Sequence, residues 1–146
     1  MPKHASVFSL TAGLLVTLGL ASCAHDSERA SVLRAGLSDF GGGYTKIVLT
    51  RSLTPEDREA AMQVLPTMEA SAFEKIPFKE DQQVPGNLFF LYSIKIDGDH
   101  AVVTGASGLI PKSSEGNLFA CGTSYTLNLE RVGKQWTPGV SYSLNC

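Results

Sequence analysis

The sequence predicts an α+β fold: one or two N-terminal helices packed on a curved antiparallel sheet that closes with C-terminal hairpins. Three observations carry that expectation. Residues 88–105 and 121–146 alternate apolar and polar side chains, with the β-branched and aromatic residues of strands. Asp97-Gly98 and Gly133-Lys134 interrupt those runs as short hairpin turns do. Upstream, Thr54-Pro55-Glu56-Asp57 is written as a helix start.

In chain order, "SERASVLRAGLSDF" (27–40) predicts a short helix capped by Ser27, and "GGGY" (41–44) a break. No Lys-Ser/Thr follows those glycines, so they do not form a P-loop. "YTKIVLTR" (44–51) predicts a strand. "LTPEDREAAMQVL" (53–65) predicts a helix: Thr54 caps it, Pro55 takes the first helical position, and Glu56 and Asp57 face its positive end. Ala60, Ala61, Val64 and Leu65 supply the apolar stripe, and Pro66 ends or kinks it. "TMEASAFEKI" (67–76) reads as a further helical piece and 77–87 as a loop carrying the acidic "KEDQQ" (79–83).

In the next hairpin Leu88, Phe90, Tyr92, Ile94 and Ile96 share a face. A turn centred on Asp97-Gly98 sets Tyr92 against Val103 and Ile94 against Ala101, and a three-residue turn ending at Asp99 shifts this by one. Glu115-Gly116-Asn117 is a turn candidate before the last hairpin. In that hairpin a two-residue turn at Gly133-Lys134 sets Val132 against Gln135, Leu127 against Val140, Tyr125 against Tyr142 and Cys121 against Cys146. The expected Cys121–Cys146 disulfide closes about 25 residues and contributes roughly 3–4 kcal/mol. A longer turn, or a bulge at Pro138-Gly139, shifts the register but keeps the two cysteines near neighbours.

The N-terminus is of another kind. "MPKH" carries one positive charge, and 5–21 carries none. The apolar core of that run is shorter than the roughly 20 residues of a comfortable span and ends in small residues, as a secretory signal peptide does. Its end, Leu20-Ala21-Ser22-Cys23, resembles the bacterial lipobox. The resemblance implies a lipoprotein: cleavage before Cys23, a diacylglyceryl thioether on its sulfur, and stable anchoring by two or three acyl chains without a span. The organisation expected is a signal peptide over 1–22, a lipidated tether over 23–31 and a single domain over 32–146. Ala24 stands where an aspartate favours the inner membrane in many Gram-negative bacteria, which points to the outer membrane, facing the periplasm, where disulfides form.

Without its leader the chain keeps eleven basic and fourteen acidic residues, a net charge of −3 that gives no reason to expect nucleic acid. Of three histidines only His100 belongs to the domain, so neither a His/Cys metal site nor a cofactor is expected. No G-x-S-x-G motif gives His100 a nucleophile to serve. Asp97 and Asp99 are turn residues rather than part of a calcium loop. No catalytic residue is assigned. The function expected is that of a non-catalytic, lipid-anchored envelope protein that binds another envelope protein as an accessory or structural part. The alternatives are a periplasmic inhibitor or immunity protein against a hydrolase or toxin, and a small-ligand binder or enzyme. The latter follows from a loose similarity of length and late hairpins to the cone-shaped nuclear-transport-factor-like fold.

Overall fold

The computed structural model describes residues 26–39, 43–76, 87–110 and 121–145. The elements run α1 (Glu28–Asp39), β1 (Lys46–Leu49), α2 (Pro55–Val64), β2 (Thr67–Glu69), α3 (Ala70–Phe73), β3 (Leu88–Asp97), β4 (His100–Ile110), β5 (Cys121–Val132), β6 (Gln135–Pro138) and β7 (Tyr142–Asn145). The fold is α+β, with N-terminal helices on a seven-stranded sheet and hairpins at the C-terminal end.

The sheet is mixed, not antiparallel. Its order is β2-β1-β3-β4-β5-β6, with β7 also paired to β5, and β1 lies parallel to both β2 and β3. A parallel neighbour needs a crossover, and α2 supplies it. Pro66 ends α2, and its carbonyl accepts from the Ile47 amide at 2.9 Å. This seats Thr67–Glu69 as β2, so the segment read as wholly helical (67–76) is a strand followed by the single turn α3.

Both helix starts use the expected caps. Ser27 Oγ accepts from the Ala30 amide at 3.2 Å, and Thr54 Oγ1 from the Asp57 amide at 3.2 Å. Residues 28–31, assigned from sequence to the end of the tether, already form the first turn of α1, with Ala30 fully buried.

The helices cover two faces rather than one. Val32, Leu33 and Leu37 of α1, with Ala60 and Ala61 of α2, pack on Ile47, Leu49, Phe89, Leu91, Ile94, Val103, Leu127 and Leu129. On the opposite face Ala70 and Phe73 of α3 meet Val48, Phe90 and Ala106, with the Phe73 and Phe90 rings edge to face at 5.0 Å. The face assigned to β3 changes accordingly. A bulge between Leu91 and Ser93 leaves Tyr92 without a partner in the ladder. Leu88, Phe90 and Tyr92 therefore face α3, whereas Ile94 and Ile96 join Phe89 and Leu91 toward α1 and α2.

The β3–β4 turn is centred on Gly98-Asp99, one residue later than Asp97-Gly98. Asp97 faces His100, Ile94 faces Val103 and Ile96 faces Ala101, unlike either register weighed from sequence. The reason is a glycine. The first central residue of this tight turn needs positive φ, and Gly98 (φ 59°) takes that place, as Gly133 (φ 65°) does in the expected Gly133-Lys134 turn.

The last hairpin keeps its predicted register from Val132/Gln135 to Leu129/Pro138 and then loses it. Beyond Pro138 the chain bulges. The Gly139 amide donates to the Asn128 carbonyl at 2.7 Å, and Asn128 Nδ2 donates to the Val140 carbonyl at 2.7 Å. On re-entry Tyr142 faces Thr126 and Ser143 faces Tyr125, so the expected Tyr125/Tyr142 and Leu127/Val140 pairs do not form. Such a one-residue slip sends side chains to the other face. Val140, Tyr142 and Leu144 are 70%, 64% and 75% exposed, whereas Leu127 and Leu129 are buried. Cys23, the KEDQQ segment, the Glu115-Gly116-Asn117 turn, Cys146 and the Cys121 side chain lie outside the described residues, and the disulfide with them.

Candidate functional site

Three neighbouring features surround α1. The first is an ion pair with a buried carboxylate and a partly exposed arginine. Asp57, in the first turn of α2, is 2% exposed, and its carboxylate accepts from Arg29 Nη1 of α1 at 2.5 Å and from the Ile94 amide of β3 at 3.3 Å. Arg29 Nη1 also donates to the Ile94 carbonyl at 2.5 Å. One carboxylate thus joins two helices to the sheet. Sequence reading placed Asp57 only as a charge facing the helix start. The missed signal was spacing: Ala60, Ala61 and Val64 follow Asp57 at three, four and seven residues, so it belongs to the same inward stripe.

Above this pair lies an acidic cleft of about 460 Å³ edged by Glu28, Glu56, Glu59 and Ile96. Its neighbour Arg131 pairs with Glu28 and, at 3.4 Å, with Asp99 of the β3–β4 turn. The guanidinium also sits 4.7 Å from the centre of the Trp136 ring. This clasp ties the start of α1 to both hairpin turns.

On the other side of α1 a groove of about 330 Å³ runs between the helix and the β5–β6 turn, edged by Ser31, Arg34, Ser38, Lys134 and Trp136. These side chains are predominantly donors. Arg34 pairs with Asp26 and donates to the Gln63 carbonyl at 2.9 Å. Lys134 has no ion-pair or hydrogen-bond partner among the described residues.

A hydroxyl chain crosses the sheet interior. Ser107 Oγ donates to the Tyr125 hydroxyl at 3.1 Å, and the Tyr44 hydroxyl donates to Ser107 Oγ at 3.4 Å. Desolvation by burial, with Tyr125 adding to it, pushes the Tyr44 hydroxyl up to about 12. Burial likewise raises Tyr92. Both are neutral phenols at physiological pH, suited to hydrogen bonding rather than to acting as bases.

His100 opens β4, exposed at the turn, beside exposed Asp97 and Asp99. No group of three or more His, Cys, Asp or Glu side chains able to hold a metal occurs among the described residues. None of their helices is long and apolar enough to cross a membrane.

Compared with models of protein families, with characterised proteins and with solved structures, the chain matches none.

Proposed function

We propose that the protein is a lipid-anchored envelope lipoprotein, held by Cys23 at the outer membrane and facing the periplasm, and that it is a non-catalytic accessory which binds another envelope protein. Two features support the anchor: the resemblance of Leu20-Ala21-Ser22-Cys23 to a lipobox, and a folded domain that starts a few residues later, at Ser27 and Glu28. The observation that carries the binding role is the outer face of β7. Tyr142 and Leu144 stand exposed on a strand paired only with β5 among the described residues, and Val140, in the bulge just before it, is exposed as well. Exposed apolar side chains grouped at a sheet edge suit a protein partner.

A photo-crosslinking residue in place of Tyr142, in intact envelopes, tests the reading. The expected result is a discrete adduct that disappears when Leu144→Glu is added and is absent when the probe replaces Glu59. No adduct at position 142, or one indifferent to Leu144→Glu, overturns it.

A further inference from the structure

The groove between α1 and the β5–β6 turn lies beside Asp26, three residues after Cys23. Asp26 is held by Arg34, which edges the groove. Only Ala24 and His25 separate Asp26 from Cys23, and three Cα–Cα steps reach at most about 11 Å. The Arg131–Glu28 pair brings the end of β5, and with it the Gly133-Lys134 turn, to the same end of α1. A thioether-linked lipid on Cys23 therefore keeps Arg34, Lys134 and Trp136 beside the leaflet that holds it.

We infer that this groove seats the phosphate of a phospholipid headgroup in that leaflet, and so fixes how the domain lies on the membrane; the inference rests on the Cys23 anchor. The chemistry fits at three points. Lys134 is a cation that no described carboxylate neutralises. The Trp136 ring is half-buried at the groove, and an indole is at home at headgroup depth, with an apolar body and a polar N–H. Ser31 adds a hydroxyl donor along the rim.

One uncompensated cation gives weak attraction, and weak attraction suffices here. The anchor holds the groove at a high effective concentration of headgroups, so binding is intramolecular in character. The acidic cleft helps from the other side. Glu56 and Glu59, which no described cation pairs, lie toward α2, whereas the groove lies toward β6. An anionic leaflet repels the first and attracts the second, which selects one roll of the domain about α1.

Trp136 is the only tryptophan in the chain and reports its own position. The mature lipid-bearing protein is reconstituted into phosphatidylethanolamine vesicles with or without phosphatidylglycerol, each set containing brominated chains that quench nearby indoles. The expected result is several-fold stronger quenching with phosphatidylglycerol, lost in Lys134→Glu and restored in Lys134→Arg, while every variant floats with the vesicles. Vesicle-bound protein with unquenched Trp136, or quenching indifferent to Lys134→Glu, overturns the headgroup seat and leaves the anchor standing. Protein that does not float, and carries no acyl mass on Cys23, overturns the anchor and the seat together. An emission shift produced by free glycerol 3-phosphate at millimolar concentration, without quenching in vesicles, assigns the groove to a soluble phosphate ester and overturns the membrane source.

Discussion

Removing the Asp57 carboxylate should destabilise the domain far more than removing any exposed charge. Asp57→Ala leaves the Ile94 amide without its acceptor in the interior, at about 1–3 kcal/mol. It removes a negative charge from the first turn of α2, at about 0.3–1 kcal/mol. It also frees Arg29, whose side chain is 34% exposed and can return to water, so that loss stays within about 1 kcal/mol. The expected total is about 2–4 kcal/mol. Arg29→Met is the harsher change, because it strands a carboxylate that is only 3% exposed, and about 3–5 kcal/mol is expected. The double variant should cost less than the two singles added, since neither partner is then left without the other. Urea unfolding followed by Trp136 fluorescence measures all three, with Arg51→Ala as the control. The Arg51–Glu74 pair is 79% exposed on the arginine side, and less than about 0.5 kcal/mol is expected there. A cost below about 1 kcal/mol for Asp57→Ala, or strict additivity in the cycle, would refute the claim that this pair ties α1 and α2 to β3.

Four further outcomes are expected. Cys23→Ser should move the protein from the membrane to the soluble envelope fraction or leave it unprocessed; an unacylated mature chain starting elsewhere, seen by mass spectrometry, contradicts the anchor. Thiol titration of the unfolded, unreduced mature protein should find Cys121 and Cys146 oxidised, and replacing both with serine should lower stability by about 2–5 kcal/mol. Gly105→Ala should cost at least about 1–3 kcal/mol in a urea melt, because a Cβ there would sit 2.2 Å from Phe89 Cζ and 2.6 Å from the Phe90 carbonyl oxygen. Tyr44 ionises near 10 unfolded and about 12 folded, so its contribution is complete below pH 10 and is lost as pH rises through 10–12. Melts across that range should show a shallower alkaline decline in Tyr44→Phe.

The features legible in the sequence are those set by local chemistry. Ser27 and Thr54 mark both helix starts because a hydroxyl cap satisfies an amide three residues on. Gly133-Lys134 marks the last turn because positive φ favours glycine. The parallel placement of β1 was not legible, since a four-residue strand does not encode its neighbour; the α2 crossover decides its pairing with β2. The bulge at Tyr92 escaped for a related reason, whereas Pro138-Gly139 marks the later one in the sequence. Leu88–Tyr92 is apolar at every position, so alternation does not mark the slip at Tyr92, and the alternation that resumes at Val140 runs on a backbone slipped by one after Pro138. The same cause hid the candidate surface. Counted from Trp136, Tyr142 and Leu144 fall on the buried side, and only the pairing with Thr126 and Ser124 turns them outward. Trp136 packs half-buried against the core beneath α1, and its place beside Lys134 depends on where α1 lies.

The bulge also separates β7 energetically from the sheet it joins. Tyr142 and Leu144 bury little, so the strand is retained chiefly by its backbone ladder over Thr123–Thr126. Its local opening free energy should lie well below that of the whole domain, and its amides should exchange with solvent long before those of Leu127 and Leu129. Each opening bares the edge of β5 as a vacancy that an incoming extended segment could fill by the same hydrogen bonds. The proposed Cys121–Cys146 bridge would act chiefly on this equilibrium: oxidation would close the vacancy and reduction release it, with the core beneath α1 untouched.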